Sequence, residues 1–368
     1  MAYTQMNLFR NAFQSDPQSA LAVSGFLIGL AFGALAWRTN FCVMGAVSDW
    51  RTSGSRHRIG AVALAAAFAI LAAQALSALG LTDLTRTMYL MPQLNWAGAA
   101  GGGLLFGFGM VLAGGCASRN LVRAGGGDVR GLITLLILGL AAFATMGGVL
   151  GPLRAGIESA TAVSLNRFGF QTQSLGDVAI QLGMNANISI WLAPLLVAGP
   201  LAVFAIFHCR VGDDKFALLA GAGVGLLVAT GWLVTGLAYN DMDVSPIVPT
   251  SLSFVRPVAD TMDWIARSTA LGLPGFGAAS VFGTLAGSCL MARLHGRFRL
   301  QGFANNDDML RHLGGALAMG VGGVLALGCS IGQGITGVST LSIQSMIAAV
   351  SILTGAAWAL RRLEQTIS

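Results

Sequence analysis

Nine stretches of the chain are nearly free of charged residues and long enough to cross a lipid bilayer as helices. A helix needs about 20 apolar residues to span roughly 30 Å of hydrocarbon. The apolar stretches run over residues 20–37, 60–80, 98–117, 129–150, 188–207, 216–237, 268–291, 312–328 and 340–360. The eighth is the weakest, because it is short and rich in glycine. The pattern predicts an all-α membrane protein of about nine transmembrane helices.

The composition points to the same class. Hydrophobic residues make up 55% of the 368 residues, charged residues only 10%, and 51 residues are glycine. These values exclude an ordinary soluble domain of this length. We therefore treat residues 1–368 as a single membrane domain.

Basic residues concentrate in every second loop, and an excess of Lys and Arg marks the cytoplasmic side of a membrane protein. The loops after the odd-numbered stretches carry Arg51, Arg56, Arg58, Arg119, Arg123, Arg130, Arg210, Lys215, Arg293, Arg297, Arg299, Arg311, Arg361 and Arg362. The loops after the even-numbered stretches are neutral to acidic. This alternation predicts a multi-pass protein of the bacterial inner membrane with a periplasmic N-terminus and a cytoplasmic C-terminus. It also accounts for the net charge of +6, so we expect no nucleic-acid partner.

Residues 1–19 carry few positive charges, which is atypical of a cleavable signal peptide. We therefore expect the first stretch to be retained as a membrane span.

Two segments, one in each half of the chain, share a pattern of glycines ending in a cysteine. GFGMVLAGGC at 107–116 and GVGGVLALGC at 320–329 are identical at seven of ten positions. They lie on the third and eighth stretches, which cross the membrane in opposite directions. We predict an inverted repeat of residues 20–150 and 216–360, joined by residues 151–215, which hold a linker loop and span five. Transporters of this architecture bind substrate near the bilayer midplane.

None of the five cysteines lies in a loop predicted to be periplasmic, so no disulfide framework is expected. Cys209 and Cys289 lie at the ends of predicted spans, and we interpret both as packing residues. Cys116 and Cys329 instead end apolar half-spans, and each precedes a segment in which we expect the helix to break. A broken helix exposes backbone N–H groups that attract an anion. The two breaks would meet in mid-bilayer.

Thiols suit such a path because a thiol among apolar neighbours stays protonated. It is then a weak S–H donor rather than a charge, and conduction favours several weak sites over one tight site. The alternative is that these cysteines are small core residues beside glycines.

Six further residues are candidates for supporting the path. They are Arg38, Gly115, Ser118, Gly328, Ser330 and Gln333. Arg38 precedes the third candidate cysteine, Cys42, and either attracts anions or extends to the membrane surface from a helix end. The polar residues either line the path or satisfy the broken backbone. Glycines at 25, 29 and 33 form a separate ridge typical of close helix packing.

Three cysteine segments carry a family resemblance. RTNFCVMGAVSD at 38–49, GFGMVLAGGCASRNLVRAGGG at 107–127 and GVGGVLALGCSIGQGITGVS at 320–339 resemble the signature segments of the YeeE/YedE family of sulfur-compound transporters. The resemblance implies thiosulfate uptake through an hourglass-shaped protein, in which Cys42, Cys116 and Cys329 relay the ion.

The resemblance also implies a small cytoplasmic sulfur-carrier protein as a partner, and some members of the family are linked to selenium or to sulfur oxidation. The long loops at 151–187 and 238–265 depart from the family pattern. They leave the substrate open among thiosulfate and related small sulfur anions.

Three other functions are alternatives to the uptake of a small sulfur anion. A membrane sulfurtransferase would need a base or a positive field near a thiolate, yet His57, His208, His295 and His312 fall in or beside predicted cytoplasmic loops. A soft-metal transporter would need thiolates with His, Met or acidic partners at membrane depth, and the apolar stretches contain no acidic residue. We therefore expect no catalytic residue, metal site or cofactor. A purely structural role predicts that the cysteines tolerate alanine.

Overall fold

The computed structural model describes residue 10 and residues 13–209, 215–241 and 247–367. Within them the chain forms fourteen α-helices and two two-residue strands. The helices are α1 (Pro17–Thr39), α2 (Val43–Thr52), α3 (His57–Ala78), α4 (Gly103–Leu112), α5 (Ala117–Gly125), α6 (Val129–Met146), α7 (Gly151–Thr161), α8 (Leu175–Gln181), α9 (Ala186–His208), α10 (Lys215–Ala238), α11 (Val255–Leu271), α12 (Phe276–Leu294), α13 (Asn306–Leu325) and α14 (Ile343–Ile367). Strands β1 (Gln93–Leu94) and β2 (Val163–Ser164) pair antiparallel. A π-helical turn, Gly98–Gly102, leads into α4.

Eight helical segments of the described chain are long and apolar enough to cross a membrane, which confirms the all-α multi-pass class. They are Pro17–Thr52, His57–Ala78, Gly98–Gly125, Val129–Met146, Ile188–His208, Phe216–Ala238, Phe276–Leu294 and Ile343–Gln365. The prediction of about nine spans includes one further helix, which falls short of this measure of apolar composition. The predicted stretch 312–328 does lie largely in a helix, α13. Its first turns, however, carry Asp307, Asp308 and Arg311, which make the helix too polar to qualify.

The two long loops predicted from the sequence are partly helical. Residues 151–187 contain α7, α8 and β2, and residues 238–265 contain the first part of α11. Helix α11 escapes a search for apolar stretches because it carries oppositely charged pairs four residues apart, such as Arg256 and Asp260. Its other face is buried, which places this segment inside the helical bundle rather than in solvent.

The two glycine-cysteine segments interrupt their helices in the same way. Residues 113–116 separate α4 from α5, and residues 326–329 separate α13 from the helical turns of 330–339. Gly114 and Leu327 occupy matching left-handed positions, with φ of +63° and +58°. We expected each helix to break after its cysteine. The break instead precedes the cysteine, because the left-handed residue ends one helix and the cysteine starts the next.

Helix packing follows matched pairs across the two parts of the chain. Contacts between α1 and α12 have a counterpart in α10 and α3, and contacts between α4 and α14 have one in α13 and α6. Likewise α11 packs on α6 as α2 packs on α14. Each helix of residues 20–150 thus has a partner that makes the equivalent contact in residues 216–360.

The glycine ridge of α1 packs directly against α12, as its spacing predicts. A Cβ atom added at Gly29 would overlap the carbonyl of Ser280, and one at Gly33 would overlap that of Thr284. The equivalent pair, α10 and α3, also approaches closely at a glycine. A Cβ at Gly221 would lie 2.8 Å from the carbonyl oxygen of Ala61. Small residues therefore set the closest helix approaches in both parts.

Candidate functional site

Three cysteines hold the same local position in three different segments. Cys42 directly precedes α2, Cys116 precedes α5, and Cys329 precedes the helical turns of residues 330–339. The backbone of Cys42 and Cys116 is extended, so neither is part of the helix that it starts. Because the first N–H groups of a helix lack partners within it, each thiol lies where the helix carries partial positive charge.

The cysteine sulfurs accept hydrogen bonds from these free N–H groups. The amide N–H of Gly45 donates to the sulfur of Cys42 over 3.3 Å. The amide N–H of Gly332 donates to the sulfur of Cys329 over 3.2 Å. In both cases the donor is three residues after the cysteine, as in side-chain capping of a helix N-terminus. The sulfurs are thereby held in fixed directions.

Cys116 lies at the centre of the group. Its thiol contacts the thiol of Cys42, which comes from a separate helix start. It also lies 3.2 Å from the hydroxyl of Ser118, faces the hydroxyl of Ser330, and receives the backbone N–H of Arg119. Side chains from both halves of the chain therefore meet at this one sulfur.

Cys42, Cys116 and Cys329 are all free thiols, and all three are buried. Cys329 lies within electrostatic reach of Cys116, which completes the group. The other two cysteines are elsewhere. Cys209 is fully buried, with its sulfur 3.8 Å from the carbonyl oxygen of His57, and Cys289 is partly buried on α12.

The polar residues at the helix breaks form hydrogen bonds with backbone carbonyls. The side-chain amide of Gln333 donates to the carbonyl of Ala326 over 2.5 Å. At the equivalent place in the first half, Asn120 donates to the carbonyl of Gly115 over 2.8 Å. These bonds satisfy carbonyls that the broken helices leave free. Gln333 thus fits the alternative that we gave for it, although its side-chain oxygen has no hydrogen-bond partner within the described residues.

The two glycines next to the cysteines allow close packing of these side chains. A Cβ atom at Gly115 would lie 2.9 Å from Cγ of Arg119, and one at Gly328 would lie 3.3 Å from Cγ of Gln333. Arg38 does not join the group. It is exposed, and its guanidinium lies 5.1 Å from the centre of the Phe216 ring.

Two cavities approach the thiols from opposite ends of α1. The larger, of about 740 Å³, is lined by Gln18 at the start of α1 and reaches Leu327 and Gly328, next to Cys329. The smaller, of about 100 Å³, is lined by Thr39 at the end of α1 and reaches Cys42 itself. Since a helix rises 1.5 Å per residue, Gln18 in the larger cavity and Thr39 in the smaller one lie roughly 30 Å apart along α1. The buried thiols occupy the narrow region between them.

The chain matches a protein-family model described as sulphur transport over residues 38–358, a range that includes all three helix-capping cysteines. The chain belongs to this sulphur transport family. The resemblance inferred from the cysteine segments is therefore confirmed.

Two relatives in the family match almost end to end. A protein of Spirochaeta thermophila named thiosulfate transporter TsuA is 27% identical over 365 residues, covering 92% of this chain and 99% of its own length. A protein of Escherichia coli strain K12 with the same name is 25% identical over 357 residues, covering 91% and 93%. With eight membrane-length helices in its described residues, the chain is accordingly a multi-pass membrane protein of the sulphur transport family.

Three residues at the site of this family member were missed by sequence reasoning. Arg119 has a guanidinium within electrostatic reach of Cys42. From the sequence we counted it only among the basic residues of a predicted cytoplasmic loop. Its position one helical turn after Cys116 is the signal that would have found it. Phe254 starts α11 as the cysteines start their helices, and its backbone meets Cys329. Tyr89, from the segment between α3 and α4, also lies near Cys329, and no pattern marked it.

The described part of the chain contains no group of three or more His, Cys, Asp or Glu side chains arranged to hold a metal ion. The charged groups that the structure identifies near the thiols are instead cations: Arg119 is within electrostatic reach of Cys42, and Arg58 lines the smaller cavity together with Cys42. The site therefore combines buried cysteine sulfurs, helix N-termini and guanidinium groups, a set of groups that favours an anion.

Proposed function

We propose that this protein takes up thiosulfate, passing it from the larger cavity to Cys329, then to Cys116 and Cys42, and into the smaller cavity. The observation that carries the proposal is the meeting of three buried thiols, each at a helix start, between two cavities at opposite ends of α1. The names of the two full-length relatives support the choice of thiosulfate within the class of sulfur anions.

The chemistry of the site suits a sulfur-bearing anion that must pass without being held. Helix N-termini supply partial positive charge from the backbone. Neutral thiols donate weakly, and an ordinary hydrogen bond contributes only about 0.5–1.5 kcal/mol net, so each S–H contact contributes less. Several weak contacts in series favour movement over tight binding. The anion keeps its bonds throughout, so the process is transport and not catalysis.

We also infer that residues 20–150 and 216–360 are inverted copies, related by a pseudo-twofold axis in the membrane plane. The matched breaks at 113–116 and 326–329 and the paired helix contacts support this. Under this relation Cys116 and Cys329 are equivalent, while Phe254 stands at the place equivalent to Cys42. A path through the repeat interface then has three thiols rather than four.

The charge pattern of the loops supports an orientation in the inner membrane with the N-terminus periplasmic and the C-terminus cytoplasmic. In that orientation the larger cavity faces the periplasm, and the smaller cavity, lined by His57 and Arg58, faces the cytoplasm. A small sulfur-carrier protein would receive the anion on the cytoplasmic side.

Growth on thiosulfate as the only sulfur source tests this function. The host is a bacterium without its other sulfate and thiosulfate importers, complemented with the wild-type chain, Cys116→Ala or Cys209→Ala. We expect growth with the wild type and with Cys209→Ala, and none with Cys116→Ala at equal expression. Growth with Cys116→Ala at the wild-type rate would contradict the thiol path.

A further inference from the structure

Tyr89 is a buried side chain whose polar end has no partner. It lies in the segment between α3 and α4, and only 3% of its surface is exposed. Its hydroxyl is buried and makes no hydrogen bond with any residue of the described chain. Leaving a buried hydroxyl unpaired destabilises a protein because the desolvation of the group is not compensated, and an unpaired group of this kind calls for a specific explanation.

The ring of Tyr89 is held in place, so the hydroxyl cannot turn away to find a partner. The Trp232 ring packs edge-on against it, with 6.2 Å between ring centres. The indole N–H of Trp232 donates to the Ser339 hydroxyl over 3.0 Å. The carbonyl of Trp232 in turn accepts from the Thr82 hydroxyl over 2.9 Å. This chain of contacts fixes where the phenol points.

The phenol lies beside both the larger cavity and the first thiol of the proposed path. Met88 and Met91, on either side of Tyr89 in sequence, both line that cavity. The phenol is within electrostatic reach of the Cys329 thiol and of Arg256, which lines the same cavity. An anion that moves from the cavity to Cys329 therefore comes close to a side chain that offers an unused O–H.

We propose that the Tyr89 hydroxyl binds an oxygen atom of the transported anion at the outer end of the path. The proposal rests on the proposed function, and it adds a residue that selects a sulfur oxyanion, which presents oxygen atoms as well as a sulfur end. A neutral phenol donates one well-directed hydrogen bond to an oxygen, whereas a thiol is a weak donor suited to sulfur. The oxygen atoms and the sulfur atom of the anion are thus bound by different side chains.

A second unpaired hydroxyl lies further along the path. Ser330, which faces Cys116, is buried, and its oxygen makes no hydrogen bond of ordinary geometry within the described residues. Two hydroxyls near the thiols give an oxyanion donors for its oxygen atoms at successive positions. The hydroxyl of Tyr89 comes first for an anion that enters from the larger cavity.

The test is the uptake kinetics of radiolabelled thiosulfate by wild type, Tyr89→Phe and Tyr239→Phe in membrane vesicles. Tyr89→Phe keeps the ring and removes only the hydroxyl, so the KM should rise roughly three- to tenfold with the maximal rate retained. Tyr239→Phe is the matched control, because that hydroxyl is bonded to Asp241 away from the path. It should leave the KM unchanged.

The melting temperature of the purified Tyr89→Phe protein separates binding from folding. Removing an unpaired buried hydroxyl should leave it unchanged or raise it. An unchanged KM in Tyr89→Phe, or a lower melting temperature in that variant, would overturn the assignment of Tyr89. The proposed function would still stand if the wild type transports thiosulfate and Cys116→Ala does not, so the two failures are distinguishable.

Discussion

The thiols of Cys42 and Cys116 lie side by side, although each belongs to a different helix start. Cys42 precedes α2 and Cys116 precedes α5, so the contact joins the starts of these two helices. Cys116 in turn reaches the second half through Ser330. The contact between the two thiols is therefore the first link of a group that spans both halves.

This contact predicts that mild oxidation will close the path. In a Cys209→Ala/Cys289→Ala background, oxidation with copper phenanthroline should join Cys42 to Cys116 and stop thiosulfate uptake, and a reductant should restore it. Mass spectrometry of proteolytic fragments identifies the linked pair. Unimpaired uptake after oxidation, or fragments without this link, would contradict the geometry.

Arg119, and not Arg38, should contribute to anion binding. The guanidinium of Arg119 lies within electrostatic reach of Cys42, whereas Arg38 is exposed over Phe216. We expect Arg119→Gln to raise the KM for thiosulfate about tenfold, equivalent to about 1.4 kcal/mol. The matched variant Arg38→Gln should keep the wild-type KM. A higher KM in Arg38→Gln than in Arg119→Gln would instead indicate that Arg38 contributes to anion binding.

Close packing between α1 and α12 should be intolerant of a single methyl group. A Cβ at Gly29 would overlap backbone atoms of Ser280, which cannot move aside as a flexible side chain can. Gly29→Ala should therefore destabilise the protein by about 1–3 kcal/mol, seen as a lower melting temperature in detergent. Gly199→Ala is the control, because a Cβ there would meet nothing within 4 Å. Equal stability of the two variants would contradict this packing.

Asp128, in the loop before α6, should stabilise the protein in a pH-dependent way. Burial opposes ionisation, but hydrogen bonds from Arg130 and Arg123 hold the pKa of the Asp128 carboxyl below its ordinary value. A lowered pKa in the folded state gives stability that is present above the unfolded-state value, about 3.9, and is lost as the pH falls through the folded-state value. Asp128→Asn should thus lower the melting temperature at neutral pH by removing these charged hydrogen bonds.

The difference between wild type and Asp128→Asn should shrink as the pH falls below about 4. Glu364→Gln provides the control, since its ion pair with Arg51 is more exposed and exposed pairs contribute little. A pH-independent effect of Asp128→Asn would show that its charge is not the cause.

Apolar patterning and small residues predicted the helices well because both act locally. Stretches of about 20 apolar residues gave the position of most spans, and the glycine ridge of α1 gave a helix surface that packs closely. The same logic missed α11, because its charged pairs hide a buried face. Helix α13, predicted as the eighth span, is less apolar than the others because acidic residues occupy its first turn.

The site was only half visible in the sequence. Repeated glycine-cysteine segments predicted helix breaks at Cys116 and Cys329, but not that each break precedes its cysteine. Leu327 explains why: a leucine rarely adopts a left-handed conformation, so nothing marked it as equivalent to Gly114. Tyr89 reaches the site through tertiary packing on Trp232, a contact between distant parts of the chain that no local pattern encodes.

The most direct test of the account is uptake of radiolabelled thiosulfate by purified protein reconstituted in liposomes, because no other transporter is then present. The wild type and Cys209→Ala should take up thiosulfate at the same rate, and Cys116→Ala should not exceed protein-free liposomes. Transport by Cys116→Ala at the wild-type rate, or no thiosulfate uptake by a folded wild-type protein, would contradict the account.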